Sequence, residues 1–359
     1  MYRKVPCVLM RGGTSRGPFI LASDLPADPR RRDAVLLRIM GSPDPLQLDG
    51  LGGGKSVTSK TAIISRSSEL GADVDYLFAQ VKVKEAVVDT RPNCGNMLAG
   101  VGPFAIEAGL VEARDPETLV RIFNVNTRTL VESIVQTPDG QVQYEGDTHI
   151  DGVPEPAAAI KLTFLDAVGA MTGKLLPTGN RVDVIDGIEV SCVDMAMPVV
   201  IMDAAAFGKT GAETPEELEA DRDLFARIAS IRLQAGRLMG LGDVSRAVVP
   251  KPVLVSRARN GGTVTSRYFT PLTCHRSHAA TGALAVGVAA ILPGTVAHRF
   301  AAPGRRGGSV CVEHPSGRIE MDLELTGPPE HPEVRRASLV RTARRIFEGR
   351  VLIPASLFD

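Results

Sequence analysis

The sequence predicts an α+β protein built from a duplicated, barrel-like unit, and three observations carry that expectation. Many short apolar segments are separated by turn signals such as Pro138-Asp139-Gly140, which read as strands rather than as βαβ units. Among them lies one glycine-rich, nearly wholly apolar stretch, Gly95 to Val111, as expected of a helix enclosed on all sides. A second such stretch follows 185 positions later: Val101/Val286, Gly102/Gly287, Ala105/Ala290, Ile106/Ile291, Gly109/Gly294 and Val111/Val296 coincide at that one offset. Six identities without a gap point to a repeated structural unit.

The 359 residues suffice for two domains of ordinary size. Lys+Arg and Asp+Glu both total 41 and there is no Trp, so neither a basic field nor a stacking surface exists for a polynucleotide. No stretch approaches the ~18 apolar residues of a membrane span. The start, Met1 to Pro6, lacks a signal-peptide core, so a cytoplasmic location is expected. Five scattered cysteines with no Cys-x-x-Cys make neither a disulfide framework nor a zinc site, and no metal is expected.

Taken in order, residues 4–22 read as strand, turn and strand. The turn Arg11-Gly12-Gly13-Thr14-Ser15 would expose Arg11, Thr14 and Ser15 at a tight bend. Pro29 to Met40 reads as an amphipathic helix, and Gly41 to Ser59 as a long loop. Within that loop Gly50 to Ser56 fails the phosphate-loop pattern, because Asp49 stands where the first glycine is required. Strands are expected at Thr61–Ser65, Tyr76–Val83, Glu85–Val88, and in short pieces over 119–135 and 140–163. The helix after Cys94 should kink at Pro103. Thr172 to Asn180 is the expected linker between domains 1–178 and 179–337. In the second domain strands are expected at Val182–Gly187 and Ala196–Met202. Thr214-Pro215-Glu216-Glu217 carries a capping box that opens a helix lasting to about Met239, with Leu218, Leu224, Ile228, Ile231, Leu238 and Met239 inward. Further strands follow at Val253–Val255, Val264–Phe269, Val310–Val312 and Glu320–Leu325. Residues 338–352 fit helix or strand, in a segment 338–359 that returns to the first domain.

Chemistry centres on Cys94. At a helix N-terminus partial positive charge favours a thiolate, and the free N–H groups of the first turn suit a carboxylate. Asn93 and Asn96 can cap or bond a ligand, and Gly95 permits close approach. The offset that aligns the two helices puts Ala279 opposite Cys94, so only one of two equivalent positions carries a thiol. His275-Arg276-Ser277-His278 precedes the second helix, where Arg276 could hold a carboxylate bidentately and Thr281 and Gly282 offer the matching N-terminus. His149, His298, His314 and His331 lack ligand-like spacing and are expected on the surface. By position alone Lys55 and Lys60 are equal candidates for a base.

Met10-Arg11-Gly12-Gly13-Thr14-Ser15, Gly41-Ser42-Pro43-Asp44, Thr58-Ser59-Lys60, Asp75-Tyr76-Leu77-Phe78, Asn93-Cys94-Gly95-Asn96 and His275-Arg276-Ser277-His278 together resemble the methylaconitate isomerase branch of the diaminopimelate epimerase superfamily. The resemblance runs from about Pro6 to Phe358. It implies two pseudo-symmetric domains, each a mixed β-barrel wrapped around a central α-helix, with the active site in the cleft between them. Related epimerases use one thiol per domain; with Ala279 at the second position, two-thiol racemisation is excluded. The resemblance picks Lys60 as general base beside Cys94, and it adds Ser59 and Met197 to the substrate contacts. It implies a cofactor-independent isomerase or tautomerase moving a C=C bond in a small anionic keto or tricarboxylic acid. The implied substrate is 4-oxalomesaconate, from aromatic-acid (gallate or protocatechuate) degradation. A 2-methylaconitate-type isomerase and a non-catalytic anion-binding protein on the same scaffold are the alternatives. Monomer and homodimer both stay open.

Overall fold

The computed structural model describes residues 1–165, 167–245, 247–270, 273–302, 309–328 and 333–358. They fall into two compact units, Met1–Leu162 with Val340–Asp359, and Thr163–Leu339. The structure is mixed α+β, as expected. No helix among the described residues is long and apolar enough to cross a membrane.

In the first unit β1 (Tyr2–Gly12) and β2 (Ser15–Leu21) form the hairpin, followed by α1 (Pro29–Met40), β3 (Lys60–Arg66), β4 (Val74–Val81) and β5 (Val88–Asp89). Then come α2 (Gly95–Leu98), α3 (Val101–Glu107), β6 (Glu117–Asn124), β7 (Thr129–Gln136) and, at the boundary, β8 (Ile160–Phe164). The strand Ala343–Pro354 returns to pair antiparallel with β1. From that edge the order is β1, β2, β3, β4, β6, β7. Pairing is antiparallel except at β2–β3 and β4–β6, which are parallel. The strands alternate their side chains between two faces. Ile20, Ile63, Ala79 and Val81 pack on Val35, Leu36, Ile39 and Met40 of α1. Phe19, Ala62, Tyr76 and Phe78, on the other face, are also buried. A Cβ on Gly100 would lie 2.5 Å from the Phe19 ring, so this face meets the α2–α3 turn.

The second unit holds β9 (Asp183–Ile185), β10 (Ile188–Asp194), β11 (Pro198–Asp203), α4 (Pro215–Ala220), α5 (Arg222–Leu238) and β12 (Lys251–Ser256). After them run β13 (Val264–Thr270), β14 (Thr273–Cys274), α6 (Ala280–Ile291), β15 (Ser309–His314), β16 (Gly317–Thr326) and β17 (Glu333–Arg341), and the chain leaves for the strand at Ala343–Pro354, here β18. The order β9, β10, β11, β12, β13, β15, β16 carries the same polarities in the same places, with parallel pairs only at β11–β12 and β13–β15. The short β14 on β13 matches the short β5 on β4. Cys192, Val200, Met202, Leu254 and Phe269 form a core with Leu218, Leu224, Ile228 and Ile231 of α4 and α5.

The repeated glycines now have a common cause. A Cβ on Gly102 would sit 2.8 Å from Ser133 Oγ and Val135 of β7; one on Gly287 would sit 2.6 Å from Met321 Sδ and 2.9 Å from Leu323 of β16. In each unit the buried helix lies directly on the equivalent strand, and only glycine fits there. Gly109 and Gly294, another repeated pair, both have positive φ (69° and 89°) where the helices end.

Several expectations need correction. The break in the first central helix falls at Ala99–Gly100, not at Pro103. Proline lacks the N–H that would bond the carbonyl four residues back, Ala99, so the disruption appears one turn earlier. The expected single helix to Met239 is two: its capping box forms at Thr214 and Glu217, but Asp221 leaves helical geometry and caps α5 through the Leu224 amide. Leu238 is 51% exposed rather than inward. Strand β4 ends at Val81, and within 140–163 only β8 and an isolated Thr148–Ala157 bridge form. His314 is buried in β15, whereas His149 and His298 are exposed; His331 lies outside the described residues. Within 338–352 the chain forms two strands, the end of β17 to Arg341 and β18 from Ala343, parted at Thr342.

Candidate active site

Lys60 is the first residue of β3, and a loop residue with no sequence signal holds it there. Gln47 is buried with φ 51°, a left-handed conformation unusual for glutamine. Its amide Nε2 donates to Ser42 Oγ at 3.0 Å and to Ser59 Oγ at 2.7 Å, while its Oε1 accepts from the Gly54 amide at 3.0 Å. Ser59 Oγ donates in turn to the Val81 carbonyl at 2.8 Å. Ser59, expected to touch substrate, is therefore fully buried and committed to fixing the start of β3. On the other side a Cβ at Gly17 would meet the Lys60 carbonyl oxygen at 1.8 Å. Gly17→Ala must displace the start of β3, at a cost of about 1–3 kcal/mol and a melting temperature lower by roughly 2–10 °C. Calorimetry checks this, and an unchanged melting temperature contradicts it.

Cys94 occupies the cap position of α2, and its sulfur lies 3.5 Å from Lys60 Nζ, which donates to it. Lys55, the other candidate base, is exposed on the loop. The pair is braced from behind. The buried Tyr76 hydroxyl donates to the Cys94 carbonyl at 3.2 Å, and the Lys60 ammonium stands 5.0 Å from the centre of the Phe78 ring. Burial drives the Tyr76 phenol well above its ordinary range, so it stays a donor. Burial also pushes the thiols of Cys7, Cys192 and Cys274 up, to about 11, 12 and 12, which suits inert core residues.

The tip of the β1–β2 hairpin closes on the same helix start. Cβ atoms on Gly12 and Gly13 would meet the Asn96 carbonyl at 2.5 Å and Asn96 Oδ1 at 2.2 Å. Gly95 and Asn96 are both buried in the first turn. Near them Thr14 Oγ1, Ser15 Oγ and Asn93 Oδ1 are buried without a hydrogen-bond partner in the protein. A buried, unsatisfied polar atom costs about 1–3 kcal/mol, so three such atoms at the hairpin tip and just ahead of the helix start mark a place built for a polar ligand. Arg11 is not among these groups. Its Nη1 is spent on the Gly13 and Thr342 carbonyls and Thr342 Oγ1 at 3.0–3.1 Å, and burial beside Arg344 pulls the guanidinium down to about 10.

In the second unit Met197 is buried at the β10–β11 turn, next to Ala196 with φ 57°. Arg276 pairs with Glu216 and Glu219 of α4 (3.2 Å to Glu219), so its expected carboxylate partner is supplied by the protein itself. Ser277 donates its amide to His275 Nδ1 at 3.0 Å. His278 is buried, with Nε2 3.0 Å from Ser266 Oγ and Nδ1 2.9 Å from the Ala279 carbonyl. At Gly282 a Cβ would lie 2.2 Å from the Tyr268 ring, so this glycine serves helix–strand packing. Thr281 is fully buried, and its hydroxyl has no partner in the protein. Among the described residues no group of three His, Cys, Asp or Glu side chains is placed to hold a metal.

Two units of identical strand order and polarity, each carrying a buried helix on the equivalent strand, define the diaminopimelate epimerase-like class of isomerase folds. Residues 2–354 match the model of the PrpF protein family, and the chain belongs to that family. It is 56% identical to the protein YbhH of Escherichia coli strain K12, over 98% of this chain and 100% of that one. It is 53% identical to the 4-oxalomesaconate tautomerase of Pseudomonas putida, over 98% of this chain and 96% of that one. The crystal structure of a methylitaconate-delta-isomerase superposes with a TM-score of 0.83 at 38% identity, covering 100% of this chain and 97% of that one. With relatives of this kind the chain is an enzyme of the isomerase class.

Proposed function

We propose that the protein moves a C=C bond within 4-oxalomesaconate by proton transfer, without a cofactor. The observation that carries this reading is the Lys60–Cys94 pair, 3.5 Å apart at the start of α2. The 53% identity to a 4-oxalomesaconate tautomerase supports the choice of substrate. In its neutral form the Lys60 amine takes a proton from the carbon next to the conjugated carbonyl. The electron pair left behind spreads into that carbonyl as a dienolate, and the same ammonium returns the proton to the far end of the conjugated system. One base on one face thus completes a 1,3-shift, and with alanine at position 279 a matching thiol is absent. The first-turn amides of α2 and the Asn93 side chain suit the developing enolate oxygen.

The test is incubation with 4-oxalomesaconate in deuterated buffer, followed by proton NMR and ultraviolet absorbance. Deuterium should enter the carbon-bound position that exchanges, together with a shift in absorbance. Methylitaconate and 2-methylaconitate serve as parallel substrates. Turnover of either in place of oxalomesaconate moves the assignment within the family, and no exchange with any of the three removes it.

A further inference from the structure

Strand β4 contains a residue that neither neighbour on its second edge reaches, and a loop side chain fills the place. Its first edge pairs with β3 from Val74 to Gln80. On the other edge β6 pairs with Val74 to Tyr76, and β5 pairs with Gln80 and Val81. Phe78 falls in the gap between them. Asn126, just after β6, supplies what a strand would: its Oδ1 accepts from the Phe78 amide at 2.8 Å, and its Nδ2 donates to the Phe78 carbonyl at 2.9 Å. The same Nδ2 donates to the Thr90 carbonyl at 2.6 Å, where the chain has left β5 and runs towards Cys94. Only this orientation of the amide makes all three bonds.

We infer that Asn126 is a positioning residue for the reaction, which sets the distance between Lys60 and Cys94 by holding the backbone behind both. This rests on the reading of that pair as the proton-transfer group. The Phe78 ring lies 5.0 Å from the Lys60 ammonium, and Thr90 stands four residues ahead of the Cys94 cap. One amide therefore ties the strand beneath the amine to the chain that delivers the thiol. The second unit carries a related device. In strand register Lys60 and Phe78 correspond to Lys251 and Tyr268. Ala62 lies between Phe19 and Phe78, Val253 lies between Ile201 and Tyr268, and each lysine stands two residues earlier, first in its strand. Strand β6 ends on Asn124, whose Oδ1 accepts from the Asn126 amide at 3.1 Å; β15 ends on His314, whose Nδ1 accepts from the Ser316 amide at 3.3 Å. Asn126 reaches back to Thr90, and Ser316 Oγ donates to the Arg276 carbonyl at 2.6 Å, three residues ahead of the Ala279 cap. A brace from the end of this strand to the lead of the buried helix is thus common to both units. The second arm differs. The Tyr268 carbonyl takes the His275 amide at 2.8 Å, whereas the Phe78 carbonyl is held by Asn126 itself, in the unit that has a lysine–thiol pair to position.

The experiment measures kcat and KM for the acid that the wild type turns over, in Asn126→Ala, Asn126→Ser and Asn126→Asp, each checked for folding by calorimetry. Asn126→Ala should lower kcat by roughly 10–100-fold and change KM less than about threefold, because a displaced base costs rate rather than affinity. Serine can still donate to the Thr90 carbonyl, as Ser316 does to Arg276, and should recover part of kcat. Aspartate keeps an acceptor for the Phe78 amide but has no donor, and should not. In a protein already carrying Lys60→Met, Asn126→Ala should add less than about a threefold loss, since the group to be positioned is gone. A folded Asn126→Ala protein with wild-type kcat, or one whose loss multiplies in full with that of Lys60→Met, overturns the inference. If Asn126→Ala does not fold, equal kcat in the serine and aspartate variants overturns it in the same way. Wild-type protein that turns over none of the three acids, or full activity in Lys60→Met, removes the role of the pair and this inference with it. Loss of activity in Lys60→Met beside a wild-type rate in Asn126→Ala removes this inference alone.

Discussion

Lys60→Met leaves the protein folded and lowers kcat by about 10²–10⁴-fold, the range a positioned proton-transfer group supplies. Methionine keeps the length and apolar stem of lysine, and the start of β3 is fixed by Gln47, Ser59 and the Gly17 contact, none of which uses the ammonium. The loss should therefore appear in kcat, with KM changed much less, because the group acts on the transferred proton. Lys55→Met, on the exposed loop, should leave the rate near wild type. Steady-state kinetics on the two variants decides between the lysines. Full activity in Lys60→Met with loss in Lys55→Met would falsify the placement of the base.

Cys94→Ala is expected to cost about 10²-fold or more in kcat, and Cys94→Ser to fall between alanine and wild type. The cysteine backbone is held by the Tyr76 hydroxyl and by the Leu98 amide at 3.1 Å, so neither substitution should move the cap. What changes is the group facing Lys60 Nζ. Serine retains a hydrogen-bond partner for the amine but is a far weaker acid than a thiol; alanine retains neither. A large gap between the two variants means that the thiol orients and polarises. Equal, severe losses mean that it carries a proton in the cycle. A wild-type rate in Cys94→Ala removes the thiol from the reaction.

Much of the architecture was legible where local chemistry decides it. Asp28 caps α1 ahead of Pro29, and Thr214 with Glu217 closes its capping box; those ends form as the residues dictate. The duplication was legible because glycine alone fits where each buried helix touches β7 or β16. What stayed hidden depends on contacts distant in sequence. Nothing around Gln47 announces that its amide will tie Ser42, Gly54 and Ser59 together. Arg276 looks like a free carboxylate clamp until Glu216 and Glu219 arrive from a helix more than fifty positions earlier. The equivalence of Lys60 and Lys251 exists only in strand register, because the path from Lys60 to Val101 is six residues longer than the path from Lys251 to Val286, so the strands and the helices repeat at different offsets. In the sequence only resemblance separates Lys60 from Lys55; in the structure Lys60 Nζ donates to Cys94 Sγ at 3.5 Å, whereas Lys55 is exposed on its loop.

The return of β18 to the edge of β1 bears on how the chain is born. The second unit is one continuous run, Thr163–Leu339, whereas the first is completed only by residues made after that run. At about 5–20 residues per second, β1 leaves the ribosome roughly 20–70 s before the strand it pairs with over eleven positions exists. During that interval the edge of β1 is an open template for other strands. The unit that carries Lys60 and Cys94 is therefore the first to be synthesised and the last to be finished. Its exposure to chaperones and to mispairing is set by the length of the unit inserted within it.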